Sequence, residues 1–127
     1  MRALPFTIED LNGGFMKLEG ILRVNKDRLM FEFQKKDAVL EAYQSELKTV
    51  EIPLSELEML EFKKGWFSAK LILHGKSASS FRDLPGKDLI ERVLKVKRKH
   101  RHVAANISSN LNLALSEKKL QELDGNE

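Results

Sequence analysis

Two hydrophobic periods divide this chain. Between residues 16 and 97 apolar and polar positions alternate in short runs, and from about His100 apolar residues recur at helical spacing. Met16, Leu18, Gly20, Leu22 and Val24 alternate with Lys17, Glu19, Ile21 and Arg23, which predicts a strand with one apolar face. Asn25-Lys26-Asp27 has hairpin length, and Leu29, Phe31 and Phe33 then alternate with Met30, Glu32 and Gln34 in an antiparallel partner. A weaker strand is expected over residues 38–43 through Val39, Leu40 and Tyr43, then another over residues 47–52, closed by Pro53. Residues 53–57 read either as a short helical turn or as the lead into a strand over residues 58–63. Lys63-Lys64-Gly65-Trp66 is a hairpin tip, after which Ala69, Leu71 and Leu73 alternate with Lys70, Ile72 and His74. Residues 81–84 read as a brief strand stopped by the turn dipeptide Pro85-Gly86.

The last strand, residues 90–97, leads into a helix from about His100 to Leu115. Val103, Ala104, Ile107, Leu111, Ala114 and Leu115 form its stripe. Lys118 would interrupt that stripe, so residues 116–127 read as a separate short helix or a frayed tail. At the other end, Pro5 and Asn12-Gly13-Gly14 mark residues 1–14 as a lead-in in which Thr7 can cap a single turn. The expected fold is therefore mainly β with one C-terminal helix: a partly open antiparallel barrel or sandwich capped by that helix. The 127 residues form a single domain in this reading, with a core over about 15–115.

Composition narrows the function more by exclusion than by indication. The 42% hydrophobic and 32% charged content is that of an ordinary globular chain, and cysteine is absent. Disulfide frameworks, thiolate metal sites and cysteine nucleophiles are thereby excluded, and a reducing compartment is the expected one. Residues 1–15 hold no apolar core of signal-peptide length, so the cytoplasm is the expected location. The net charge of +3 is mild, and an anionic partner would need a local basic cluster.

Three segments carry a resemblance. They are Glu19-Gly20-Ile21-Leu22-Arg23 before a hairpin, Ile52-Pro53-Leu54-Ser55-Glu56-Leu57 before Lys63-Lys64-Gly65-Trp66-Phe67, and Leu84-Pro85-Gly86 before the strand–helix junction. Over residues 15–115 the chain resembles small uncharacterised bacterial proteins of the pleckstrin-homology-like superfold. The resemblance implies two nearly orthogonal sheets plugged by a C-terminal helix. The chain departs from the lipid-binding members in two respects. Its hairpin loop Asn25-Lys26-Asp27 is short and carries an acid, and its tryptophan sits in a hairpin instead of the closing helix. Both departures point away from a phosphoinositide site.

Two groups of residues are candidates for contact with a partner. Lys63, Lys64, Trp66 and Phe67 join cations and aromatics at one tip, suited to a protein partner or a membrane interface, although one of the two rings is expected to fold back onto the barrel. Arg23, Lys26 and Arg28 around the hairpin, and Lys95, Lys97 and Arg98 at the strand–helix junction, are candidate anion contacts. The junction cluster extends through Arg92, Lys99, His100, Arg101 and His102. Its simplest reading is a solvated face in which Arg98 or Arg101 pairs with a carboxylate near the helix start.

Ser77, Ser79, Ser80, His74 and Asp83 hold the letters of a catalytic triad without a nucleophile elbow. No catalytic, cofactor or metal residue is assigned. The leading expectation is a non-catalytic scaffold that binds a protein, a second copy included, through exposed loops such as the tip or through a sheet edge that includes part of residues 63–74. A peripheral binder of anionic membrane lipid is the alternative, with a nucleic-acid binder or a small hydrolase further behind.

Overall fold

The computed structural model describes residues 3–43 and 45–124. Seven strands follow in chain order among them: β1 (Ala3–Leu11), β2 (Met16–Asn25), β3 (Arg28–Asp37), β4 (Lys48–Pro53), β5 (Leu57–Lys64), β6 (Ser68–Gly75) and β7 (Glu91–Lys97). One helix, α1 (Arg101–Asp124), ends the described chain. The strands form a single antiparallel sheet in the order β4-β3-β2-β1-β7-β6-β5, which does not close. The molecule is mainly β with one C-terminal helix, as the two periods predict.

Alternation decides which face is buried. Leu4, Phe6 and Ile8 of β1, Leu18 and Leu22 of β2, and Leu29, Phe31 and Phe33 of β3 line one face. Ala69, Leu71 and Leu73 of β6 and Leu94 and Val96 of β7 continue it, and Ala104, Ile107, Leu111 and Leu115 of α1 cover it. Gly20 faces Phe6 and Phe33 in the ladder, where a Cβ would run into the Glu32 carbonyl and Phe33. The 3-10 turn Leu54–Glu56 supplies the short helical turn read after Pro53.

Four expectations are corrected. The lead-in of residues 1–14 contains β1, the middle strand of the sheet; Met1 and Arg2 lie outside the described residues. Its Leu4, Phe6 and Ile8 alternate like any strand, and pairing on β2 outweighs the single missing N–H of Pro5. Residues 38–43 are a turn with one isolated bridge, Lys36 to Tyr43, because Asp37 Oδ1 accepts from the amides of Val39 and Leu40 and curls the chain. Residues 81–84 form no strand either. Phe81 and Leu84 are buried from a loop, whose carbonyls are satisfied by a side chain instead of a ladder. Finally, α1 runs unbroken to Asp124, with Lys119 Nζ 2.8 Å from Glu58 of β5; residues 125–127 are outside the described chain.

Antiparallel pairing sorts the connections to two ends. The β1–β2, β3–β4 and β6–β7 connections share one end of the strands. The β2–β3 and β5–β6 hairpins and the β7–α1 junction share the other.

Candidate functional site

The β5–β6 hairpin turns through Gly65-Trp66-Phe67, closed by Gly65 N–H donating to Ser68 O at 2.9 Å. Trp66 is 80% exposed and Phe67 83% exposed, so neither ring folds back onto the sheet. The two rings meet edge to face at 6.4 Å between centroids. Two large apolar rings standing in water at a loop tip contribute nothing to the core. Their burial elsewhere would be favourable in proportion to their area.

The register brings this tip against the junction cluster, two candidates that are about thirty residues apart in the chain. Ser68 is the partner of Lys97, so the aromatic tip and the β7–α1 junction are neighbours on one edge of the face. Behind them Lys63 pairs with Lys70 and Lys70 with Lys95, a row of three lysines across β5, β6 and β7. Like charges directly opposite are destabilising in a sheet. Among the described residues, only the outer two have carboxylates: Glu61 lies 3.7 Å from Lys63, and Glu9 lies 2.9 Å from Lys95. Lys64, Lys70, Lys97, Arg98, Lys99 and Arg101 make no ion pair among the described residues. The expected pairing of Arg98 or Arg101 with a carboxylate near the helix start does not occur.

Arg92 leaves the cluster altogether. It shares the core face with Leu94 and Val96 and is 4% exposed. Its guanidinium donates to the carbonyls of Pro85 at 2.6 Å, Leu84 at 3.0 Å and Gly86 at 3.3 Å, with Phe81 beneath it. Burial pulls its pKa below the usual guanidinium value, against the attraction of Asp88. Asp88 accepts from the amides of Ile90 and Glu91, which hold its own pKa below that of an ordinary aspartate.

The two arginines of the first hairpin are paired with carboxylates. Arg23 is bonded to Glu32, and Arg28 lies 2.7 Å from Glu51 and 3.6 Å from Asp27. The Glu51 bond, ahead of Coulombic attraction, raises the Arg28 pKa. Lys26 remains exposed in a left-handed turn, with its neighbours already neutralised. The triad letters are likewise spent locally. Ser80 Oγ donates to the Glu56 carbonyl at 2.8 Å, the Ser77 and Ser79 hydroxyls bond each other at 2.9 Å, and His74 Nε2 lies 3.2 Å from Glu61.

Within residues 63–74, β6 offers no edge, while Lys63 and Lys64 belong to the edge strand β5. β6 lies between β5 and β7. On the outer side of β5, Asn112 of α1 behaves as a neighbouring strand would. Its Oδ1 accepts from Leu60 N–H at 2.9 Å and its Nδ2 donates to Leu60 O at 2.8 Å. Sequence reading missed Asn112, an unremarkable polar residue one position after Leu111 of the apolar stripe.

The fold and site thus describe a small antiparallel sheet with a C-terminal helix and a basic, aromatic-tipped outer face. No helix among the described residues is long and apolar enough to cross a membrane. Comparison with protein-family models, with curated proteins and with solved structures found no match.

Proposed function

We propose that this protein is a non-catalytic module that docks on anionic membrane surfaces through the β5–β6 tip and the basic face behind it. The observation that carries this reading is the adjacency of exposed Trp66 and Phe67 to cations that have no carboxylate partner. Aromatic rings favour the interface between headgroups and hydrocarbon, and each lysine or arginine near an anionic surface contributes about 1 kcal/mol. The row of like charges, unfavourable in the free protein, is relieved beside a negative surface. The strand order and the single closing helix support the likeness to the pleckstrin-homology-like superfold. A cytoplasmic location would supply the anionic leaflet, and the absence of cysteine is compatible with it.

The test is cosedimentation with phosphatidylglycerol–phosphatidylcholine vesicles at low and moderate salt. Binding is expected at low salt, with a blue shift of the emission of Trp66, the only tryptophan in the chain. Trp66→Ser with Phe67→Ser should reduce binding while leaving the thermal melt unchanged. Lys64→Gln with Lys70→Gln should weaken it by about thirtyfold, the equivalent of about 2 kcal/mol. A wild-type protein that stays in the supernatant with purely anionic vesicles at low salt would remove the proposal.

Exposed Phe15, Val39 and Leu40 favour a second reading, a protein partner, at the opposite end of the strands. Ala38 N–H donates to Phe15 O at 2.9 Å and sets these apolar loops side by side. Phe15→Ser with Leu40→Ser should then abolish a partner complex without altering vesicle binding.

A further inference from the structure

The sheet is weakest at its middle. β1 pairs with β7 through one register pair among the described residues, Thr7 with Lys95. Continuing that register would set Pro5 against Lys97, but Pro5 carries no backbone N–H and the pairing stops. Beside this stretch lies a cleft of about 320 Å³ whose lining includes Pro5, Thr7, Lys95, Lys97, Lys99 and His100. That volume lies at the lower end of the range for small-molecule sites.

Its charge is one-sided. The single acidic residue in its lining, Glu19, is already bonded to Lys36 Nζ and to the Tyr43 hydroxyl, each at 3.2 Å. Lys95 has Glu9 as its partner, while Lys97 and Lys99 have no ion pair among the described residues. The Thr7 hydroxyl adds a neutral donor. Two free ammoniums, a third shared one, an imidazole and a hydroxyl around a small opening suit a compact, multiply charged oxyanion better than an extended polyanion.

We infer that this cleft binds a phosphomonoester group, and that its source is the headgroup of a membrane lipid. The lipid source rests on the membrane reading above; the choice of a phosphomonoester rests on the cleft alone. Lys97 belongs to both the cleft and the face beside Trp66, so a headgroup seated there would lie next to the aromatic tip.

The experiment compares vesicles carrying phosphatidic acid, a phosphomonoester, with vesicles carrying phosphatidylglycerol, a phosphodiester, at matched zeta potential. In parallel, amide shifts are followed during titration with glycerol 3-phosphate. The wild type should bind the phosphatidic acid vesicles at least fivefold more tightly, and the titration should move Thr7, Lys97, Lys99 and His100. Lys97→Gln with Lys99→Gln should erase the preference, as should Thr7→Val, which changes no charge. Thr7→Val should leave binding to phosphatidylglycerol within twofold. Equal binding at matched potential without localised shifts would overturn the cleft, as would a preference that survives all three substitutions. Localised shifts without binding to either vesicle would uphold the cleft for a soluble phosphomonoester and overturn the lipid source together with the membrane reading.

Discussion

Arg92 occupies a position that alternation assigns to the core, between the buried strand and a loop with little regular structure of its own. Its donors satisfy carbonyls of three successive loop residues, which water cannot reach once Phe81 and Leu84 are buried. Gly86 permits that arrangement. Its φ of 141° is one that L side chains rarely adopt, and an added Cβ would overlap Arg92 Nη1. Gly86→Ala is therefore expected to destabilise by about 1–3 kcal/mol through strain, displacing the guanidinium from its acceptors. Urea denaturation alongside Lys87→Ala checks this, since Lys87 adjoins the turn and its side chain makes no hydrogen bond among the described residues. Equal stability of the two variants would show that the loop yields freely. Charge type alone placed Arg92 in the basic cluster. Its acceptors lie six to eight residues earlier, in a stretch whose folded path local patterning does not describe.

At the scale of elements, α1 protects the sheet as well as capping it. The edge strand β5 offers N–H and C=O groups to any passing strand, and Asn112 occupies one such pair at Leu60. Asn112→Ala should leave that pair without its protein partner, costing about 1–3 kcal/mol. It should also promote concentration-dependent self-association through β5. Chemical denaturation together with sedimentation equilibrium checks both effects. The expected destabilisation without self-association would mean that the bulk of the helix, not its amide, keeps the edge closed. The opposite edge, β4, is short, carries Lys48 and Glu51, and ends in Pro53, a different means to the same protection.

At the scale of the molecule, one core joins both halves of the sheet to the helix. Ile107 is 5% exposed within it. Ile107→Ala should lower stability by about 2–4 kcal/mol, the range for truncating a buried aliphatic side chain. Far-ultraviolet dichroism and near-ultraviolet signals should lose their transitions together, because no part of the core is independent. Two separated transitions would contradict a single core. The aromatic tip stands outside the core, since Trp66 and Phe67 are 80% and 83% exposed and stack edge to face.

The period of the hydrophobic pattern by itself determined strands β2 to β7, the start of the helix and most of the buried face, because each follows from how side chains project from a local backbone. The same pattern suggested strands over residues 38–43 and 81–84 that do not form. It also marked Lys63, Lys64, Trp66 and Phe67 as a tip. Leu4, Phe6 and Ile8 held the same signal for β1, although Pro5 and the glycines obscured it. Tertiary structure alone decided that β1 lies between β2 and β7, and that Lys63, Lys70 and Lys95 form one row. It also set the tip beside Lys97, turned Arg92 inward, and placed Asn112 on the edge of β5 at Leu60. These arrangements depend on register and on contacts between segments distant in the chain. A period-two pattern tells a strand which face is buried, but not which neighbour it will meet.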